Sequence, residues 1–141
     1  MIKLKDFTVY TRNKEYFFGT ESIHSKSKLD KFVDSYSKNF YTYLDGFPNA
    51  SKFIDCLLNY NASYFDNKFL ILHGALKEYT IGYRYGINDY SFDNGNLNIK
   101  VDILEKGTSR SISYSILLFE VDVSCNTVES TTISVLDKLK D

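Results

Sequence analysis

The stretch YTIGYRYGINDYSFDNGNLNIKVDI, residues 79–103, decides the fold of this chain. Its Asn94-Gly95 pair lies between two alternating apolar segments and is typical of a two-residue β-hairpin turn. The stretch also holds four tyrosines and three glycines in 25 residues, so it is either a ligand-binding surface or a strand pair sealed by aromatic rings. The pairing pattern that follows from the turn favours the strand pair.

A two-residue turn fixes the register of the strands on either side of it. Continued without interruption, that register would place Ile87 on the wrong face of the sheet. We therefore predict a β-bulge at Asn88 and Asp89, with both residues opposite Lys100. The resulting cross-strand pairs are Phe92 with Leu97, Tyr90 with Ile99, Ile87 with Val101 and Tyr85 with Ile103.

The first strand of this hairpin has two different faces. One face carries Tyr79, Ile81, Tyr83, Tyr85 and Ile87, and the other carries Thr80, Gly82, Arg84, Gly86 and Asn88. Glycines weaken a strand unless something packs closely over them or the strand must bend. A covering helix or a bend explains the glycines as structure, and a peptide partner explains them as a binding surface.

The rest of the chain predicts further strands. Residues 2–10 and 15–20 are predicted to form an N-terminal hairpin, and the run at 69–76 is apolar on both faces, as in a strand with neighbours on both flanks. Residues 111–123 predict another long central strand. The tail alternates at 131–135 and predicts an edge strand.

Two helices are predicted between the N-terminal hairpin and the sheet. Apolar residues over 29–44 recur at helical spacing for four turns, with Ser25 or Ser27 as N-cap and Gly46 as C-cap. A second, shorter helix is predicted around 53–58. With 12 tyrosines, 11 phenylalanines and one proline, the composition favours strands elsewhere.

We predict one α+β domain over residues 1–141, with an N-terminal hairpin at 1–22, a helical segment at 23–62 and an antiparallel sheet segment at 63–141. Its centre is a mainly antiparallel sheet or open barrel of about seven strands, with two helices inserted after the N-terminal hairpin.

Charge and cysteine content exclude several function classes. The net charge is −1, and 17 basic residues are interleaved with 18 acidic ones, which disfavours a nucleic-acid surface. No apolar run approaches the roughly 20 residues that cross a membrane, and the first residues are not predicted to form a secretory leader. Cys56 and Cys125 are too few for a disulfide framework and predict reduced thiols in a cytoplasmic protein.

Candidate catalytic residues are few. His73 follows an apolar strand and Glu78 lies five residues further on, so either could act as an acid or base, although a satisfied core-edge histidine and a strand-edge acid are the simpler interpretations. No metal-ligand spacing, phosphate-binding loop or nucleophile elbow is present, and we expect no cofactor and no metal. Arg84 projects between two glycines, where its guanidinium could grip a carboxylate. Gly82, Tyr83, Arg84 and Gly86 are therefore the candidate partner-binding residues.

Residues 23–123 contain a helix, the Gly82-Tyr83 pair, an Asn-Gly hairpin and a closing strand ILLFEV at 116–121. In these features the segment resembles the small bacterial domain of PrcB-type protease-complex proteins and their uncharacterised clostridial relatives. The resemblance implies an accessory or regulatory binding role beside a protease.

Three functions remain open from the sequence. The first is a non-enzymatic binding or regulatory module that recognises a protein segment through the glycine-lined face or a strand edge. The second is a small hydrolase whose active site assembles only in three dimensions. The third is a small-molecule or saccharide binder that uses exposed tyrosines.

Overall fold

The computed structural model describes residues 2–11, 18–41, 52–122 and 128–139. In these parts the chain forms eight strands, two α-helices and one 3-10 helix. In chain order the elements are β1 Ile2–Thr11, β2 Gly19–Ile23, α1 Lys26–Asn39, β3 Phe40–Tyr41, α2 Lys52–Leu58, the 3-10 helix Ala62–Asp66, β4 Phe69–Ile81, β5 Arg84–Asp93, β6 Asn96–Glu105, β7 Ser109–Val121 and β8 Ser130–Leu136.

The strands form two sheets. The larger sheet has five strands in the order β2-β4-β7-β1-β3, all paired antiparallel, and the smaller has three strands in the order β5-β6-β8. In the smaller sheet β5 and β6 are antiparallel, whereas β8 is an edge strand that runs parallel to β6. The prediction of an α+β fold with a mainly antiparallel, open sheet is confirmed, with eight described strands rather than about seven.

The five-stranded sheet lies between the helices and the smaller sheet, because β4 and β7 bury side chains on both faces. Leu70 and Leu72 of β4 pack in the core on the helix side, whereas Phe69 and Ile71 pack in the core shared with the smaller sheet. β7 alternates in the same way. This confirms the prediction that the two apolar runs are central strands, since only a strand covered on both sides needs apolar residues at every position.

The predicted N-terminal hairpin is wrong. β1 pairs with β7, with Ile2 opposite Val121, and β2 pairs with β4, with Ile23 opposite Leu70. Both strands therefore lie beside long central strands instead of beside each other, because a central strand buries more apolar surface as a partner than an isolated hairpin can. Residues 15–17 of the predicted second strand lie outside the described residues.

Helix α1 begins where predicted and ends earlier than predicted. The Ser25 hydroxyl accepts a hydrogen bond from the Lys28 main-chain N–H at 3.1 Å, as an N-cap does. The helix ends at Asn39, because the next two residues form β3 and pair with Tyr10 and Thr11 of β1. The predicted C-cap at Gly46 lies outside the described residues, and the predicted second helix is confirmed as α2.

The hairpin of β5 and β6 has the predicted register. Its pairs are Phe92 with Leu97, Tyr90 with Ile99, Ile87 with Val101 and Tyr85 with Ile103. The register shifts between Ile87 and Asp89, so the bulge lies where the sequence predicts it. Asn94 and Gly95 have φ values of 52° and 82°, the positive values that this two-residue turn requires.

Candidate functional site

Of the three glycines in the aromatic stretch, Gly82 allows a bend and Gly86 allows a close contact. Gly82 joins β4 to β5 with a φ of 108°, and a Cβ atom there would lie 3.3 Å from the Gly107 Cα atom. At Gly86 a Cβ atom would lie 2.9 Å from the Leu104 side chain. The bend is therefore confirmed, and it is Leu104 of β6, rather than a helix, that packs over Gly86.

Arg84 lies at the start of β5, opposite Glu105 of β6, and its side chain forms an ion pair with Asp6 of β1. Its side chain is 64% exposed, and its Nε atom lies 3.6 Å from the Asp6 Oδ2 atom. The same carboxylate oxygen accepts a hydrogen bond from the Tyr85 main-chain N–H at 2.9 Å. Asp6 therefore occupies the outer edge of β5 at its N-terminal end. Tyr83 is half-buried, and its ring lies 6.2 Å from the Tyr85 ring.

Glu78 lies in a buried polar cluster, which we call the Glu78 cluster and which consists of Glu78, Tyr85, Ser113 and Ser115. The Glu78 side chain is 2% exposed. The Tyr85 hydroxyl donates a hydrogen bond to one carboxylate oxygen. The hydroxyls of Ser115 and Ser113 donate to the other oxygen at 2.8 and 3.3 Å. Three strands, β4, β5 and β7, are joined by these bonds.

Burial raises the pKa of the Glu78 carboxyl, because a charge is poorly solvated there; the three hydroxyl donors oppose this rise and the nearby Asp6 charge adds to it. Burial and the bond to Glu78 raise the pKa of the Tyr85 hydroxyl well above its usual range. A carboxyl group beside a tyrosine hydroxyl is a pair that can act in acid–base catalysis. In the Glu78 cluster, however, these groups are buried from solvent and form their hydrogen bonds with each other. The arrangement supports a structural role for Glu78.

His73 lies in a different place from Glu78. Its Nδ1 atom is 2.8 Å from the Thr20 hydroxyl, a contact that joins β4 to the edge strand β2. Burial lowers the pKa of the His73 imidazole. Five residues along one extended strand separate His73 from Glu78 by roughly 15 Å. The structure therefore does not bring the two candidate catalytic residues together.

The outer side of β5 from Ile87 to Phe92 is an open strand edge, which we call the β5 edge. β5 is the end strand of the smaller sheet, and among the described residues its only strand partner is β6. Tyr90 and Phe92 are 39% and 44% exposed. In antiparallel pairing alternate main-chain N–H groups point away from the partner, and the Tyr90 N–H accordingly donates to the Asp89 carboxylate at 2.8 Å.

Two further features of the structure were not predicted from the sequence. A groove of about 260 Å³ lies between α1 and β2, and we call it the α1–β2 groove. Near the other end of the helix layer, the Tyr60 hydroxyl donates to the Glu120 carboxylate, and the Cys56 Sγ atom lies 4.0 Å from both the Lys5 Nζ atom and the Tyr60 oxygen. The Tyr60–Glu120 and Lys5–Cys56 contacts join residues from distant parts of the chain, so no local spacing marks them. The groove is lined by residues 18–36 and depends on how β2 and α1 pack against each other. Cys125 lies outside the described residues.

No described helix has the length and apolar character needed to cross a bilayer. In the same parts of the chain, no three histidine, cysteine, aspartate or glutamate side chains are grouped so that they could hold a metal ion.

Comparison with known proteins identifies no relative of this chain. No family model, no curated protein and no solved structure matches it.

Proposed function

We propose that this protein is a non-enzymatic binding module that recognises an extended segment of another protein through the β5 edge. The observation that carries the proposal is that β5 has ten residues, lies at the end of its sheet, and presents two partly exposed aromatic rings beside its unpaired edge. An extended segment can add to such an edge as a further strand, with main-chain hydrogen bonds for affinity and side-chain contacts for specificity.

The two ends of β5 differ in how open they are. At the N-terminal end the Tyr85 N–H is taken by Asp6 of β1. Beyond the bulge the acceptor of the Tyr90 N–H among the described residues is the carboxylate of the preceding residue, which a partner's carbonyl oxygen could replace. The contact is therefore expected from Ile87 to Phe92, with Arg84 and Gly86 at its margin.

Other edges support this function less well. β2 has five residues, and β8 carries serine or threonine at four of its seven positions. Neither strand presents two exposed aromatic rings. β3, the other end strand of the larger sheet, has only two residues. The β5 edge is therefore the longest described edge strand and the one with two exposed aromatic rings.

The proposal also includes the cellular role and the compartment that the sequence suggests. An accessory or regulatory role beside a protease, which the resemblance to PrcB-type domains implies, is compatible with recognition of an extended segment. The two cysteines, which are too few for a disulfide framework, favour a reducing compartment such as the bacterial cytoplasm. Alkylation of both cysteines in protein isolated from its native cells tests this setting, and a disulfide at either cysteine would contradict it.

The binding proposal is tested by selecting peptides from a random display library against the folded protein. A selected peptide is then titrated into ¹⁵N-labelled protein, where we expect the largest shifts at the Tyr90 and Phe92 amides. Phe92→Pro removes an N–H group that points away from β6, so it leaves the β5–β6 ladder intact while it blocks strand addition. We expect this variant to lose peptide binding at least tenfold, a difference of about 1.4 kcal/mol.

The matched control is Tyr79→Ala, which removes a tyrosine that is 68% exposed on β4, away from the β5 edge. We expect this variant to bind the peptide as the wild type does. Circular dichroism must show that both variants remain folded. Failure to select any peptide, or peptides that bind Phe92→Pro as tightly as wild type, would contradict the proposal.

A further inference from the structure

The α1–β2 groove has an aromatic interior formed by two elements. Its lining residues are Phe18, Glu21, Ile23, Lys28, Lys31, Phe32, Ser35 and Tyr36. The helix residues recur at spacings of three and four, so they form one stripe of α1 that faces β2. The Phe18 main-chain N–H donates to the Gly74 carbonyl at 2.8 Å, which fixes one end of the groove to the sheet.

The aromatic rings of the groove are held by one another. The Phe18 and Phe32 rings meet edge to face with centroids 5.3 Å apart, and the Phe32 and Tyr36 rings stack at 6.0 Å. Ile23 is fully buried beneath them. A cavity with preformed apolar walls and a few charged groups is the usual form of a small-molecule site.

The charges at the groove are unbalanced. Lys28 and Lys31 lie on its helix wall and Glu21 on its strand wall. Within the described residues no ion pair within 4.0 Å joins either lysine to a carboxylate. Lys28 also lowers the pKa of the neighbouring His24 imidazole, after burial, which makes a second positive charge at that histidine less favourable. The groove therefore combines an apolar interior with two lysines that form no ion pair with a described carboxylate.

We propose that the α1–β2 groove binds a small amphipathic carboxylate, a molecule with an aliphatic or aromatic body and one acidic group. The body lies against Phe18, Phe32 and Ile23, and the carboxylate meets the ammonium groups of Lys28 and Lys31. A neutral ligand of the same shape would make the apolar contacts but would offer the two ammonium groups no carboxylate. This site is separate from the β5 edge, so its test is independent of the proposed function.

Titration of ¹⁵N-labelled protein with sodium octanoate tests the site, with 1-octanol as the uncharged ligand of equal chain length. We expect octanoate to shift the amides of β2 and α1 that line the groove. We expect 1-octanol to bind at least about threefold more weakly, because it gains the apolar contacts without the charge contacts. Added NaCl should weaken octanoate binding and leave 1-octanol binding unchanged.

Charge variants sharpen the test because the two walls of the groove carry opposite charges. Lys28→Gln and Lys31→Gln should each weaken octanoate binding by about two- to fivefold, whereas Glu21→Gln should strengthen it by about twofold. Lys100→Gln, an exposed lysine on β6 outside the groove, is the matched control and should change nothing. All four are exposed or half-buried side chains, so the folded state is expected to persist.

Three results would overturn the site. The first is the absence of groove shifts at millimolar octanoate, and the second is equal affinity for octanoate and 1-octanol. The third is a loss of affinity in Lys100→Gln as large as in the two groove lysine variants. Groove shifts that follow the predicted signs in all four variants would establish it.

Discussion

The two ends of β5 belong to one strand but differ in their burial and in their hydrogen-bond partners. At the N-terminal end Tyr85 is buried, its hydroxyl bonded to Glu78 and its N–H to Asp6. Beyond the bulge Tyr90 is 39% exposed, and its N–H donates to the side chain of the preceding residue, Asp89. Tyrosine thus links neighbouring strands at one end of β5, as Tyr85, and is a candidate binding residue at the other end, as Tyr90. What lies beside the strand, rather than the residue type, decides between these roles.

Truncation of the two tyrosines gives the largest expected difference between the ends. Tyr85→Ala leaves a cavity in the core between the sheets and should lower the free energy of unfolding by about 3–5 kcal/mol. Tyr90→Ala removes a ring at the rim and should cost at most about 1 kcal/mol. Urea denaturation followed by circular dichroism measures both. Equal losses would show that the two ends are equally part of the core.

Removal of the hydroxyl alone isolates the Glu78 cluster. Tyr85→Phe keeps the ring and deprives the buried Glu78 carboxyl of one donor, so we expect a loss of about 1–2 kcal/mol in unfolding free energy. Tyr90→Phe is the matched control and should leave stability unchanged. If Tyr85→Phe is as stable as the wild type, the Tyr85–Glu78 hydrogen bond does not contribute significantly to the free energy of unfolding.

The buried carboxyl predicts a characteristic pH dependence. The folded-state pKa of Glu78 is raised above its ordinary value of 4.5, mainly by burial. The unfolded chain therefore ionises first as pH rises, so this group's contribution to stability is complete below pH 4.5 and is lost as pH rises towards the folded pKa. Glu78→Gln cannot ionise and should lack this loss. Parallel stability profiles of wild type and Glu78→Gln above pH 4.5 would contradict the assignment.

The smallest expected effect concerns Arg84. Its ion pair with Asp6 is exposed, so Arg84→Ala should lower the free energy of unfolding by about 0.2–1 kcal/mol. Arg110→Ala, at an exposed arginine of β7, is the control and should cost less. In the peptide titration, Arg84→Ala shows whether the N-terminal end of β5 contributes to recognition. Unchanged peptide affinity would remove Arg84, and with it the glycine-lined face, from the binding surface.

Local signals in the sequence were sufficient for the hairpin of β5 and β6. The Asn94-Gly95 turn and the alternation of side chains together determine one register, and the bulge follows because Ile87 must face the core. The Ser25 cap and the start of α1 were likewise predictable, because a cap and the residues that it bonds lie within one turn.

Pairings between distant segments were not predictable in the same way. β1 and β2 take partners about 50 to 120 residues away, and nothing in their own residues distinguishes those partners from each other. Helix α1 ends early because β1 captures the two residues of β3. The exposure of Tyr90 and Phe92 was not predictable for the same reason. The sequence predicts their cross-strand partners, but it does not predict how far the larger sheet extends beneath them.

Hydrogen exchange at single amides of β5 tests the contrast between its ends most directly. We predict that, in the protein without a partner, the Tyr85 N–H exchanges slowly because Asp6 accepts its hydrogen bond, while the Phe92 N–H exchanges rapidly because it points away from β6. Addition of a selected peptide should slow exchange at Phe92 and leave Tyr85 unchanged. A Phe92 amide as protected as that of Tyr85 before any peptide is added would contradict an open β5 edge.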